Sequence, residues 1–237
     1  MCQFLSALVL RNGDVLTHPL LDSHSDLVRY YQVPDDRTHH QHFAKVERTP
    51  GDTDESWLDP ATWRFRLDEE TAPGWWEDVK GAAEATLRDR AKAMIVTTGR
   101  KDLILEGCWI LAGDAEFADV RGGRIVRMLG GTLTEMWGGT LTAMWGGTLT
   151  AMCGGTLTAM CGGTLTAMRG GTLTEMCGGT LTAMCGGTLT AMRGGTLTPK
   201  PSAFYTLTLS KQAQEFLKAL EPKKSVRKKK ATRKAHP

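Results

Sequence analysis

The sequence predicts an α+β N-terminal domain (residues 1–105) followed by a β-solenoid of octapeptide repeats (residues 106–209). The main observation is an eight-residue phrase, Gly-Gly-Thr-Leu-Thr-x-Met-x, whose Gly-Gly-Thr-Leu-Thr core occurs nine times from Gly130 onward. A fixed short period is typical of a stack in which each unit packs on its neighbours. A short helix is expected over residues 210–222, and a basic, disordered tail over residues 223–237.

The N-terminal domain opens with a predicted hairpin. Residues 3–10 and 15–18 are apolar and β-prone, and they flank an Asn-Gly turn. A helix should follow, with Asp22 or Ser23 as its N-cap, and run to Tyr31.

The second half of this domain predicts two more strands and one long helix. Residues 42–48 read as a strand, and residues 62–68 alternate apolar and charged side chains, as in a strand with one wet face. After Pro73, apolar residues recur at helical spacing from Trp76 to Met94.

The residue pattern of the octad indicates which of its positions face the core and which face solvent. We number its slots one to eight from the first glycine. Slots four and seven are always apolar, whereas slot six accepts charged residues such as Glu135 and Arg127. A buried unpaired charge costs several kcal/mol. Slots four and seven therefore face the core and slot six faces water. The threonines of slots three and five then point outward, because side chains alternate along a strand.

The repeat extends upstream of the first perfect copy. Residues 114–121 and 122–129 fit the octad with Phe117 and Ile125 at slot four. The array is therefore expected to begin near Trp109.

One octad is too short to enclose a core, so a coil of the solenoid should contain two octads or three. A three-octad coil would stack Arg169 directly on Arg193, about 4.8 Å apart, whereas a two-octad coil keeps these like charges apart. We favour the two-octad coil of 16 residues over the 24-residue coil. It places Cys161 next to Cys177 and interposes Arg169 between Cys153 and Cys185.

The outward threonines form a candidate binding surface. Repeated Thr-x-Thr resembles the Thr-x-Thr β-solenoid antifreeze proteins of insects, which implies a flat lattice that binds ice or another ordered surface. Threonine is also an ordinary outward strand residue, and that reading stays open. Two tryptophans at slot eight either extend this surface or cover the junction with the N-terminal domain. The residues concerned are Thr132, Thr134, Thr140, Thr142, Thr148, Thr150, Trp137 and Trp145.

The layout as a whole resembles a group of uncharacterised bacterial and bacteriophage proteins with an N-terminal globular domain and Gly-Gly-Thr octads. The matching stretches are Met1-Cys2-Gln3-Phe4-Leu5-Ser6-Ala7, Asp22-Ser23-His24 and the array from Leu105 onward. The resemblance implies a β-solenoid and brings no activity with it.

Two other chemistries have candidates in the N-terminal domain. If Met1 is removed, Cys2 becomes an N-terminal nucleophile that can use its own α-amine as base, as in one class of hydrolases. His39, His40 and His42 could bind a metal, although closely spaced histidines usually need further ligands. We expect neither a metal nor another cofactor.

Charge is divided unevenly along the chain. From Lys211 onward there are ten Lys and Arg against two Glu, so the tail is basic and the rest of the chain is mildly acidic. A basic tail attracts nucleic acid or another polyanion without sequence choice. The charged tail residues are Lys223, Lys224, Arg227, Lys228, Lys229, Lys230, Arg233 and Lys234.

The sequence also predicts the compartment and the function of the protein. No apolar run approaches the roughly 20 residues that span a bilayer, no signal-peptide pattern is visible, and a reducing cytoplasm is the expected compartment. The predicted function is a non-enzymatic structural or interaction protein. It would present a rigid repeated surface, with a protein partner on the solenoid and a polyanion on the tail.

Truncation after Pro222 tests the prediction for the tail. Removing it should abolish binding of DNA and RNA in a gel-shift assay, because the phosphate-neutralising side chains are lost. For the full-length chain, affinity should fall steeply as salt is raised. Binding that survives the truncation would contradict the electrostatic explanation.

Overall fold

The computed structural model describes residues 5–35, 42–199 and 206–207. Its N-terminal part is a four-stranded antiparallel sheet with strand order β2-β1-β3-β4, and helices pack against it. The elements are β1 (Leu5–Leu10), β2 (Val15–Leu16), α1 (His24–Tyr31), β3 (Phe43–Thr49), α2 (Asp54–Leu58), a 3-10 turn (Pro60–Thr62), β4 (Arg64–Leu67) and α3 (Trp76–Met94).

Most of these elements confirm the sequence predictions. The hairpin closes β1 on β2, and Ser23 is the N-cap residue of α1, although its side chain makes no capping hydrogen bond. Trp63 and Leu87 are buried in the core between the sheet and α3. The sequence analysis did not predict α2, which is capped by the Thr53 hydroxyl accepting from the N–H of Ser56.

From Ile95 onward the chain forms a β-solenoid with two parallel sheets. We call them the front sheet (β6, β8, β10, β12, β14, β16, β18) and the junction sheet (β5, β7, β9, β11, β13, β15, β17, β19). Their strands are β5 (Ile95–Val96), β6 (Arg100–Ile104), β7 (Cys108–Leu111), β8 (Glu116–Val120), β9 (Arg124–Met128), β10 (Thr132–Met136), β11 (Thr140–Met144), β12 (Thr148–Met152), β13 (Thr156–Met160), β14 (Thr164–Met168), β15 (Thr172–Met176), β16 (Thr180–Met184), β17 (Thr188–Met192), β18 (Thr196–Pro199) and β19 (Thr206–Leu207).

Each coil contains 16 residues, as favoured from the sequence. Leu133 pairs with Leu149 in the front sheet, and Leu141 pairs with Leu157 in the junction sheet, so identical slots lie directly above one another. The 24-residue alternative is wrong. Consecutive octads alternate between the two sheets.

The assignment of slots four and seven to the core is also confirmed, whereas slot six, predicted to face water, is half-buried and at Ala151 buried. The leucines of slot four and the methionines of slot seven are buried as far as Met192, and they form one continuous core from both sheets, against which the half-buried Leu197 packs. Burying each such side chain contributes about 1.5–3 kcal/mol relative to exposure. Threonines of slots three and five are half-buried or exposed, as expected for outward positions.

The two glycines of the octad are required for different structural reasons. At slot two, each glycine of the regular array has φ between 72° and 86°, in the left-handed region that L side chains rarely adopt. At slot one, an added Cβ would overlap the carbonyl oxygen of the coil below, as Gly138 would with Arg121. The turns also continue the ladder, since the N–H groups of Cys153 and Gly154 both donate to the Met136 carbonyl, at 2.8 and 3.0 Å.

The solenoid begins earlier than residue 106, the boundary predicted by counting divergent octads upstream of the glycine pairs. Ile95 of β5 pairs with Ile110 of β7, and Arg100 of β6 pairs with Glu116 of β8. Only single glycines with positive φ, Gly99 among them, mark the turns of this first coil. The pattern of Gly-Gly pairs therefore does not reveal it.

The two ends of the stack differ. At the first coil, Lys101 occupies an inward slot, opposite Phe117, with its ammonium 4.9 Å from the centre of the Trp109 ring. A charge at an inward position protects an exposed strand edge from pairing with another chain. At the last coil, Thr206–Leu207 pairs with β17, inside the range 106–209 predicted for the solenoid. The helix expected over residues 210–222 lies outside the described residues.

The same substitution in two slots of β14 tests this architecture. Leu165→Glu places a carboxylate in the core and should lower the free energy of unfolding by several kcal/mol. Ala167→Glu places it at slot six, where Glu135 and Glu175 already occur, and should change stability by about 0.5 kcal/mol or less. Denaturant titration followed by circular dichroism measures both, and equal losses would contradict the slot assignment.

Candidate functional site

The outward threonines form columns on two opposite faces. Because octads alternate between sheets, the six threonines singled out from the sequence do not form one surface. Four of them lie on the front sheet (Thr132, Thr134, Thr148, Thr150) and two on the junction sheet (Thr140, Thr142).

The first threonines of these columns are engaged by side chains of the preceding coil. The Thr134 hydroxyl lies 3.2 Å from Glu116 Oε1, and Arg124 Nε donates to Thr142 Oγ1 at 3.4 Å. Further along the front sheet, Thr150, Thr166 and Thr182 are exposed at slot five. On the front sheet the regular array of exposed hydroxyls therefore starts at β12, and on the junction sheet Thr158 and Thr190 are exposed as well.

The N-terminal domain packs against the outward face of the junction sheet. Ile110 of β7 is fully buried in the core that the domain forms around α3. One strand further along, Arg124 Nη1 donates to Asp22 Oδ2 at 2.9 Å. The domain thus covers the flank of β7 and β9, whereas the described residues of the domain do not cover the front sheet.

An arginine between two tryptophans closes this junction. The guanidinium of Arg127 lies 4.6 Å from the ring centre of Trp57 and 4.9 Å from that of Trp145. Its Nη2 also donates to Asp54 Oδ1 at 3.0 Å, and only 12% of its side chain is exposed. Trp145 therefore belongs to the junction, although it remains half exposed.

Trp137 lies on the other edge of the solenoid, at the turn that follows β10. It is 53% exposed, and its indole N–H donates to Glu135 Oε2 at 3.0 Å. Of the two tryptophans predicted together, it is the one that offers an aromatic surface near the front sheet.

A buried polar cluster in the N-terminal domain was missed from the sequence. The ligand-type atoms of His24, Glu47 and Asp68 lie within 4.8 Å of one another, the single group of this kind among the described residues. His24 Nε2 lies 2.9 Å from the Val46 carbonyl, so this nitrogen carries a proton and donates. The signals in the sequence were a histidine in the first turn of α1 and a glutamate inside an apolar strand.

This cluster already contains its own cation. Arg66 Nη2 lies 3.0 Å from both Glu47 Oε2 and Asp68 Oδ1, and His24 Nδ1 lies 3.3 Å from Asp68 Oδ2. A metal ion would have to displace Arg66 from both carboxylates. The arrangement fits a polar connection between α1, β3 and β4 better than a metal site.

A cavity of about 200 Å³ lies between the domain and the solenoid, and Cys108 and Arg124 contribute to its lining. Burial raises the pKa of the Cys108 thiol to about 11, and Asp22 adds to this while Arg124 opposes it. A thiol with this pKa is almost entirely protonated at neutral pH and is a poor nucleophile.

The remaining candidates lie mostly outside the described residues. These are Cys2, His39, His40 and the basic tail, for which the hypotheses of an N-terminal nucleophile, a metal site and a polyanion site stay predictions. His42 is described, directly before β3, and is exposed.

No protein-family model matches the chain, and neither curated proteins nor solved structures gave a significant match. The fold itself defines the class: this is a β-solenoid repeat protein with an N-terminal α+β domain. Among the described residues, no helix is both long enough and apolar enough to cross a membrane.

Substituting the central arginine of the junction tests how strongly it holds the two parts together. Arg127→Ala removes two cation–π contacts of about 0.5–2 kcal/mol each and should lower the free energy of unfolding by about 2 kcal/mol. The measurement is denaturant titration followed by tryptophan fluorescence.

Arg121→Ala is the matched control. Its side chain is 61% exposed and bonds Asp119 just before it in the chain, so its loss should cost at most about 0.5 kcal/mol. Equal effects of the two substitutions would show that the stack between Trp57 and Trp145 contributes little.

Proposed function

We propose that this chain is a non-enzymatic structural or interaction protein whose solenoid presents the front sheet as a rigid, repeated binding surface. The observation that carries the proposal is that the N-terminal domain covers part of the junction sheet, whose exposed threonines, Thr158 and Thr190, begin only at β13. The N-terminal domain occupies the outward side of β7 and β9, while exposed threonines continue along the front sheet from β12.

The chemistry of this surface favours binding over catalysis. Residues 148–169 contain no histidine, aspartate or glutamate, and the carboxylates of the adjacent coils, Glu135 and Glu175, stand in register with alanines rather than threonines. A threonine hydroxyl needs an adjacent base to act as a nucleophile. Each hydroxyl instead offers one donor and two acceptor positions. In-register stacking repeats this pattern about every 4.8 Å along the stack.

The proposal includes the basic tail as a second attachment. Its charge complements a polyanion, and the solenoid separates it in sequence from the N-terminal domain. An origin in a bacterium or a bacteriophage is suggested only by the resemblance of the sequence.

A site-specific photo-cross-linker tests whether the front sheet binds a protein partner. Benzoylphenylalanine at Thr166 should give an adduct in extract of the native host, whereas the same group at Thr158, on the junction sheet, should not. The adduct at Thr166 should disappear when Thr150→Lys and Thr182→Lys are introduced one coil away on either side. An adduct that survives both lysines, or equal adducts from both faces, would contradict the proposal.

A second candidate function is binding of ice or another ordered surface by the threonine columns. It is favoured by the regular exposure of slot-five threonines in successive coils of the front sheet. Full-length protein should then show thermal hysteresis that Thr166→Lys and Thr182→Lys remove. Hysteresis unchanged by these substitutions rules out this face as the ice-binding surface.

A further inference from the structure

Slot eight of the octads forms a column of side chains at each edge of the solenoid. On the edge that follows the strands of the junction sheet, Cys161 and Cys177 occupy this slot in adjacent coils. The N–H of Cys177 donates to the Met160 carbonyl at 2.8 Å, which continues the ladder into the turn. Adjacent coils in such a ladder are about 4.8 Å apart, which lies within the range of Cα separations that a disulfide spans.

Direct contact between the two turns supports this spacing. A Cβ added at Gly178 would overlap the Cys161 carbonyl oxygen and lie 3.8 Å from the Cys161 Cα. Both cysteines are unbridged, Cys161 half exposed and Cys177 exposed. Reagents in solution can therefore reach the pair.

The opposite edge contains a natural control. There Cys153 and Cys185 occupy slot eight two coils apart, with Arg169 in the coil between them. Their spacing is about twice 4.8 Å, beyond the limit of roughly 7 Å for a disulfide.

We propose that Cys161 and Cys177 form a reversible dithiol–disulfide pair that covalently joins two adjacent coils. The oxidant is a low-molecular-weight disulfide. One cysteine thiolate attacks it, forms a mixed disulfide and releases one small thiolate. The second cysteine thiolate then attacks the protein sulfur of the mixed disulfide and releases the second small thiolate. Two protein thiols are oxidised, one small disulfide is reduced to two thiols, and the two cysteine protons pass to the released thiolates.

The environment of Cys177 sets the direction of the pH dependence. Partial burial raises the pKa of this thiol, and Glu175 and the neighbouring Cys161 raise it further. Arg193 lies one coil beyond Cys177. Its Nε forms an ion pair with Glu175 Oε1 at 2.7 Å. Because exchange needs the thiolate, bridging should accelerate as pH rises.

Two full-length variants test the proposal. Cys153→Ser with Cys185→Ser leaves the adjacent pair, and Cys161→Ser with Cys177→Ser leaves the distant pair. Each is incubated natively with glutathione disulfide at low protein concentration, alkylated and then digested with trypsin. Cleavage after Arg127, Arg169 and Arg193 gives peptides 128–169 and 170–193, which separate the two members of either pair.

The first variant should yield the linked peptides from a monomer, and reduction should release them. Its oxidised form should also unfold at a higher temperature than its reduced form, because the bridge restricts the unfolded chain. The second variant should yield no such link. Mixed disulfides with glutathione alone, equal linking in both variants, or linkage found only in dimers would overturn the proposal.

Discussion

Close backbone approach at the turns is the constraint on which the solenoid depends. In the regular array, the carbonyl oxygen of a slot-eight residue in one coil fills the space that a side chain at slot one of the next coil would need. Gly154 above Trp137 is an example. Slot two needs positive φ, which glycine adopts without strain. Together these requirements allow the chain to turn every eight residues while the ladder continues, and they keep leucine and methionine in register.

The same constraint explains how much could be predicted. Slots four and seven followed from charge tolerance at slot six, and the like charges of Arg169 and Arg193 favoured the coil length that the structure has. The pattern of glycine pairs does not reveal the first coil, because no coil lies beneath it and its slot one does not need glycine. Glu106 can stand at slot one there, whereas a Cβ added at Gly122, one coil later, would overlap the Leu105 carbonyl oxygen.

Tertiary arrangement explains what sequence reasoning missed. Periodicity assigns an inside and an outside to each octad, but it does not say which outward face a domain will cover. The stack of Arg127 between Trp57 and Trp145 joins residues far apart in the chain. The contact of His24 with Asp68 also depends on the fold. The alternation of octads divides the predicted threonine surface into two faces, and the N-terminal domain covers only the first strands of the junction sheet.

The pairing of octads 16 residues apart is the central claim, because the faces, the junction and the cysteine pair all follow from it. Spin labels in a cysteine-free background test it directly. Labels at Ala167→Cys and Ala183→Cys, which pair in the front sheet, should show strong dipolar broadening. Labels at Ala167→Cys and Ala191→Cys, which lie in different sheets, should show much less. Strong broadening in the second pair and little in the first would mean a 24-residue coil and would contradict the structure described for this chain.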